Sequence, residues 1–409
     1  MSTLIPVEEA LARILASAAE PVAAETVTVA ESFGRTLAEN VAALRTQPPF
    51  PASAMDGYAV RAEDVATVPA TLRLIGMSAA GHGFAGTIGP GETVRILTGA
   101  PVPAGADTIL IQENADVSDD VVTATETVAA KRHIRVPGLD FRAGDPLLRA
   151  GESLDARRLA LAAAGGHATL SVRRRPRVAI LATGDELVAP GEPARWDQIV
   201  ASNGLAVASL AREAGAEPID LGIAGDSLAS LEAALGRARD AKADLLVTLG
   251  GASVGDHDLV QAALHREGLE LGFWRVALRP GKPLMHGRLG PMMVIGLPGN
   301  PVSAVVCGLL FVVPAIRALL GDPKAGADRS EPAILGADMP ANDIRQDYMR
   351  ARVEANAGGF PTVHAETRQD SSMLSVLGQS EALLVRPPGA PAAKRGDPCR
   401  IIRLDRTLL

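Results

Sequence analysis

The run Gly251-Ala252-Ser253-Val254-Gly255 follows an apolar stretch and is followed at once by Asp256 and Asp258. G-x-S-x-G is the pattern of a serine nucleophile on a sharp strand-to-helix turn, which needs an acid and then a histidine later in the chain. His265, His286 and His364 lie downstream, but none sits in a recognisable loop. Acids packed just beyond a nucleophile suit a metal ion better than acyl chemistry. The competing reading is a bed of backbone N–H groups for a phosphate.

Two other segments share this design of strand, then glycine or proline, then polar residues. The three are "AILATGDEL" with Thr183 and Gly184, "VTLGGASVGDHD" with Gly250, Gly251, Ser253 and Gly255, and "MVIGLPGNPVSA" with Pro298, Gly299, Asn300 and Pro301. Glycine lets backbone approach a ligand closely, and Asn300 with Pro301 suits the start of a helix whose N–H groups would face an anion. Three such loops on one edge favour a phosphate-bearing ligand. The same edge carries Asp185, Glu186, Asp226, Asp256 and Asp258, which would repel a phosphate unless a cation lay between, and oxygen-only ligands suit Mg²⁺. Arg275, Arg279 and Lys282 could supply anion contacts or be plain loop charges. Neither G-x-x-x-x-G-K-[ST] nor G-x-G-x-x-G occurs, so P-loop and dinucleotide readings fall away.

Gathering these loops requires a parallel sheet, in which ligands bind beyond the strands' carboxyl ends. Residues 177–320 supply it by alternating "RVAILAT", a helix at 203–214, "EPIDLGIA", a helix at 227–240, "DLLVTLG", a helix at 258–267, "MMVIGL" and a helix at 301–320. Pro314 predicts a kink or break in the last helix. Residues 6–20 read as another helix, and "DARRLALAAAGG" as a further one ending on glycines. From about 25 to 150, short runs such as "TLRLIGM", "ETVRILT" and "DTILIQE" read as hairpins of a β-rich region. There Asp56-Gly57, Thr98-Gly99-Ala100 and Asp140 occupy turns. After "GDPKAGADRSEP" short strands return, predicting a small β-barrel or sandwich over 328–409, with "PPGAPAAKRGDP" as a long hairpin connection.

A chain of 409 residues implies several domains. A net charge of −7 excludes a broad nucleic-acid footprint, and the one dense basic run, Arg173-Arg174-Arg175-Pro176-Arg177, reads as a domain joint. No uninterrupted apolar run of about 18 residues appears, so no membrane span is expected. Two distant cysteines, Cys307 and Cys399, support neither zinc nor a disulfide framework and fit a reducing cytoplasm. "AGHGFAG" around His82 reads as a loop tip rather than a metal site.

Taken together, "SAMDGYAV", "RILTGAPVPAGAD", "HIRVPGLDFRAGD", "TGDEL", "GGASVGDHD", "RPGKP" and "GLPGNPVSA" resemble the molybdopterin molybdenumtransferase family, that of MoeA and the gephyrin E domain. They appear in family order between positions 53 and 304, and the tail resembles the family more loosely. The resemblance implies a multidomain α/β plus β protein. Its expected parts are an N-terminal helical linker domain (1–26 and 143–173), a β-rich domain (27–142), an α/β molybdopterin-binding domain (174–327) and a C-terminal β-barrel (328–409). It implies transfer of molybdate onto adenylylated molybdopterin, a Mg²⁺-dependent step releasing AMP, with Ser253 holding phosphate rather than attacking.

By motif position the implied acids are Asp56, Asp140, Glu186, Asp226 and Asp258, with Glu186, Asp226 and Asp258 around Mg²⁺. Thr98, Gly99, Arg275, Arg279 and Lys282 are implied cofactor contacts, and Arg350 and Ser371 line the molybdate pocket. An elongated homodimer with sites shared between subunits is also implied, as are molybdopterin adenylyltransferase and recipient molybdoenzymes or their chaperones as partners. The chain departs from the family at Pro51, at Ala201 and at Asp370, an acid where glycine is usual beside the oxyanion pocket. Rival readings are an adenylyltransferase-like nucleotide transfer, which would lack the flanking β domains, and a non-catalytic gephyrin-type scaffold, which would not need the acids.

Overall fold

The computed structural model describes residues 4–18, 20–251 and 259–404. Ser253, Gly255, Asp256 and Asp258 therefore lie outside the described residues.

The aliphatic run Arg177–Thr183 is buried on both faces and forms an inner strand of a six-stranded sheet. Across this sheet the order is Glu217–Ala224, Arg177–Thr183, Leu245–Leu249, Met292–Leu297, Met285–Leu289 and Glu270–Trp274. The first four are parallel, as the alternation predicts. The last two run antiparallel at one edge and were not anticipated. They are short, and Gly272 and Gly287 interrupt their apolar pattern, so no helix-linked repeat announces them. Val178 and Ile180 pack with Val207 and Ala211 on one face, while Ala179 and Leu181 pack with Leu231 and Leu235 on the other. The period-two alternation of a strand thus distributes two cores from one run.

Pro314 acts as expected, with a specific geometry. The last helix runs as Pro301–Cys307, a wider π turn over Gly308–Val312, and Val313–Leu319. Val313 N–H bonds back five residues to the Gly308 carbonyl, and the widened turn accommodates a ring that cannot donate and would crowd the carbonyl four residues back. Pro301–Leu319 is long and apolar enough to span a membrane by composition alone, but 78% of its most apolar 18-residue window is packed inside the protein, as in a core helix.

The β-rich sheet orders Thr108–Ile111, Gly57–Val60, Glu92–Ile96, Ala70–Ser78, Val121–Ala124 and Ala115–Ser118. Gly57 must be glycine because a Cβ there would collide with the Leu110 carbonyl. In a separate unit, Ala24–Thr28 pairs with Thr169–Arg173 and Val41–Ala42 with Pro146–Leu148, over a core of Leu37, Leu154 and Val172. The helix Ala156–Ala164 joins them, its first turn capped by Asp155 through Arg158 N–H. Because residues 27–45 bond to this layer, we propose drawing the start of the β-rich domain near 46 rather than 27. The basic run is a joint held by ion pairs: Arg174 grips Asp244 through two bonds of 2.7 Å.

In the tail, Gln346–Glu354, Thr362–Ala365, Glu331–Leu335, Pro398–Arg403 and Ala382–Arg386 pair in sequence and then back to the first, closing a five-stranded barrel. The stretch 387–397 is the hairpin connection expected of it. A barrel, rather than a sandwich, leaves no open edge in this ring.

Candidate functional site

Thr183 ends one parallel strand, Ala224 a second, Leu249 a third and Leu297 a fourth, so the loops that follow meet on one edge. Cross-bonds confirm the meeting. Gly184 N–H donates to the Ala224 carbonyl at 3.2 Å, and Gly250 N–H to the Leu297 carbonyl at 3.1 Å. Gly250 and Gly251 hold φ of 100° and 63°, and a Cβ on Gly250 would stand 2.9 Å from the Thr183 carbonyl. Gly250 is glycine because the loops touch backbone to backbone there. Thr183 turns inward, its hydroxyl on the Leu249 carbonyl at 3.3 Å, so its backbone rather than its side chain faces the edge.

The edge carries exposed acids. Glu186 folds back over Gly184, where a Cβ would collide with its carboxylate, and Asp226 lies on the neighbouring loop. Asp185 ties the two loops, accepting the Asp226 N–H at 3.0 Å. Among the described residues, no group of three or more His, Cys, Asp or Glu is placed to hold a metal ion unaided. Two exposed carboxylates still fit Mg²⁺, which takes one or two carboxylates and completes its shell from substrate phosphate and water.

Asn300 sits at the start of the last helix with Pro301 first in it, yet its side chain does not cap the helix. Its amide instead donates to Ser371 Oγ at 3.0 Å, and Val302 N–H donates to the Ser371 carbonyl at 3.0 Å. The barrel thereby closes on the helix start and takes one of the amides expected to face an anion. Behind Ser371, Arg350 is fully buried, with Nε on Gln369 Oε1 at 3.1 Å and NH1 on the Asp370 carbonyl at 2.6 Å. Asp370 turns its carboxylate to the Ser372 hydroxyl and N–H, which hold it below the usual carboxylate range. That turn answers the departure at this position, since the acid is occupied locally.

The basic segment is the least free of the expected contacts. Arg275 has φ of 79°, and its guanidinium stacks over Trp274 at 4.6 Å. Arg279 is engaged by Asp347, by Asp343 at 3.4 Å and by Asn342 at 3.3 Å. Lys282 is exposed. Next to it Gly281, at φ 114°, leaves the space that the Cys307 sulfur fills. Burial pushes the Cys307 thiol far above its ordinary pKa, so it is inert packing.

In the β-rich unit, Asp56 Oδ1 accepts Thr98 N–H at 2.6 Å and the Thr98 hydroxyl at 2.8 Å, and these bonds lower its pKa, the backbone one most. Gly99, at φ 81°, turns the chain so that its N–H reaches the Ser53 carbonyl. Asp140 is exposed in the turn whose backbone bonds to Gln47 and Pro48. The structure therefore collects Gly184, Glu186, Asp226, Gly250, Pro298, Gly299 and Asn300 at one edge, adds Arg350 and Ser371 through the barrel, and leaves Asp56, Thr98 and Asp140 in turns of the β-rich unit. Sequence reasoning missed Asn203, whose amide donates to the Gly299 carbonyl at 2.7 Å, as well as Asp347. Each acts through a contact remote in sequence.

Comparison with known proteins covers nearly the whole chain. Residues 5–166 match the MoeA N-terminal region (domain I and II), 179–318 a probable molybdopterin binding domain, and 332–404 the MoeA C-terminal region (domain IV). A molybdopterin molybdenumtransferase of Haemophilus influenzae is 34% identical over 383 residues, covering 93% of this chain and 94% of that one. Its counterpart from Bacillus subtilis is 33% identical over 410 residues, covering 98% and 94%. The molybdopterin biosynthesis moeA protein of Pyrococcus horikoshii superposes with a TM-score of 0.84 at 28% identity, covering 98% of this chain and 99% of that one.

Proposed function

Since this chain belongs to the molybdopterin molybdenumtransferase family, a transferase group of molybdenum cofactor biosynthesis, we propose that it inserts molybdenum from molybdate into adenylylated molybdopterin, releasing AMP. The observation that carries the reading is the joint between the glycine-rich edge and the barrel, where Asn300 meets Ser371. It joins the glycine-rich edge to the loop that Arg350 backs, which suits a substrate with a nucleotide at one end and a metal-accepting dithiolene at the other.

In this reading Gly184, Gly250, Gly251 and Gly299 let backbone approach the phosphate, and Lys282 approaches from the side. Glu186 and Asp226, with Asp258 from outside the described residues, would hold Mg²⁺, which supplies charge neutralisation at the departing phosphate. Ser371 positions the molybdate oxygens, and Arg350 fixes the loop that presents it. The sulfurs that take molybdenum are those of the substrate, in keeping with the buried Cys307.

The active form is a homodimer whose sites combine the α/β edge of one subunit with Asp56 and Asp140 of the other. Exposed apolar side chains support this. Trp196 is 97% exposed, and Ile199 and Leu205 are exposed in the segment after Glu186, while Phe50, Met55, Val136 and Leu139 are exposed around Asp56 and Asp140. Such clusters mark association surfaces. Molybdopterin adenylyltransferase would deliver the substrate, and molybdoenzymes or their chaperones would receive the product. Purified protein incubated with adenylylated molybdopterin, molybdate and Mg²⁺ should release AMP and form cofactor in step. AMP release without cofactor would point to nucleotide chemistry alone.

A further inference from the structure

Arg279 belongs to the basic segment that the proposed function aims at the substrate, yet its immediate surroundings come from the barrel. Its two-residue strand Leu278–Arg279 lies parallel to the start of Gln346–Glu354, with Leu278 opposite Gln346 and Arg279 opposite Asp347. Gln346 N–H donates to the Ala277 carbonyl at 2.9 Å, so the backbone of the segment is an added strand of the barrel.

The side chains repeat this attachment with unequal partners. Asn342 and Asp343 touch the guanidinium at 3.3 and 3.4 Å, and Asp343 is exposed and already held by Arg345 at 2.8 Å. Asp347 is different. Only 5% of it is exposed, its Oδ2 bonds Arg279, and its Oδ1 is buried with no hydrogen-bond partner. A buried carboxylate with one oxygen unmatched depends on its single cation far more than a surface acid does. Arg279 in turn gains its raised pKa first from Asp347.

From Arg279 the constraint passes to Lys282. The loop closes on itself: Arg275 N–H reaches the Leu284 carbonyl at 2.9 Å, and Val276 N–H the Lys282 carbonyl at 3.0 Å. Leu278 and Leu284 are buried beneath it, so the loop has little freedom once Arg279 is anchored. Farther along the same barrel strand, Arg350 holds Gln369 and Asp370 beside Ser371. Residues three apart in a strand face opposite sides, so one strand reaches both loops.

We propose that Asp347 is a positioning residue for substrate binding: it fastens Arg279 and so sets where the 279–282 loop presents Lys282 to the anionic end of the substrate. The proposal rests on the reading that this loop meets the substrate. Asp347→Asn keeps the shape and removes the charge, and Asp347→Glu keeps the charge.

Two measurements on the full chain test it. Amide hydrogen exchange reads the loop without any ligand, and steady-state kinetics reads KM for adenylylated molybdopterin and for molybdate separately. In Asp347→Asn, protection over 275–284 should fall at least tenfold. KM for adenylylated molybdopterin should rise at least fivefold, while KM for molybdate stays within twofold. Arg279→Gln should do the same, the double variant should be no worse than either single one, and Asp347→Glu should recover part of the loss. Unchanged protection, or defects of Asp347→Asn and Arg279→Gln that multiply, overturns the proposal. So does lost protection with an unchanged KM. A wild-type enzyme that makes cofactor in the same assay separates any of these failures from failure of the proposed function.

Discussion

Asn300, at the start of the last helix of the α/β unit, donates its side-chain amide to Ser371 Oγ of the barrel at 3.0 Å. The bond spans 71 positions of sequence and joins the edge expected to hold phosphate to the loop expected to hold molybdate. A neutral bond of this kind contributes about 1 kcal/mol. Asn300→Ala and Ser371→Ala should each lower kcat/KM by about fivefold or more, that energy expressed as a rate. Combined, they should cost less than the product of the two, because both remove one contact. Fully multiplicative losses in a double-mutant cycle would show that the residues act separately.

Glu186 and Asp226 are exposed, so neutralising them should leave stability nearly unchanged while removing charge from the metal position. Glu186→Gln and Asp226→Asn should each lower turnover at least tenfold, about 1.4 kcal/mol of barrier. Both variants turning over within twofold of wild type, at unchanged melting temperature, would remove these acids from the mechanism.

Asp56 borders a strand of the β-rich sheet and Glu186 follows a strand of the parallel sheet, and the proposed dimer-shared site would make them complementary. Inactive Asp56→Ala mixed with inactive Glu186→Ala should regain about a quarter of wild-type activity. Roughly half the protein becomes heterodimer, and one of its two sites escapes both changes. Subunit exchange verified by mass, with no activity regained, would place both acids in a single subunit's site.

Gly281 has φ of 114° and the Cys307 sulfur where a Cβ would stand. Gly281→Ala should destabilise the fold by roughly 2 kcal/mol or more, from backbone strain and overpacking together. Adding Cys307→Ala should return the overpacking part and leave the strain. Denaturant unfolding of the single and double variants measures the split, and equal stabilities would show that the sulfur does not crowd the site.

His286 is buried, with Nδ1 donating to the Val294 carbonyl at 3.1 Å and Nε2 accepting from the Ser17 hydroxyl at 2.8 Å. Burial, with a smaller contribution from Arg288, lowers its pKa from 6.5 to about 4. The unfolded chain then binds the proton first. Its contribution to stability is complete above about pH 6.5, declines as pH falls, and is lost by about pH 4, roughly 3 kcal/mol in all. Urea unfolding at pH 7 and pH 4.5 should show a smaller difference for His286→Gln than for wild type. Equal differences would assign the acid sensitivity to other groups.

The strands Arg177–Thr183 and Met292–Leu297 were legible to the residue, because a buried parallel strand is a nearly continuous aliphatic run bounded by turns. The glycines at 184, 250 and 299 were legible as turns leaving parallel strands and meeting on one edge of the sheet, since local chemistry restricts what such loops do. So was the disturbance at Pro314, because it follows from one missing N–H. What lay beyond the sequence were relations between distant segments. The antiparallel strands Met285–Leu289 and Glu270–Trp274 are defined by the neighbour they pair with, and their own residues carry little pattern. Asn300 reads as a helix cap until the barrel offers Ser371, and Arg279 as a free cation until Asp347 is folded against it. Residue type and spacing determine what a side chain can do, whereas tertiary packing alone determines which of its possible partners arrives, and that choice sets which residues bind and which hold the binders in place.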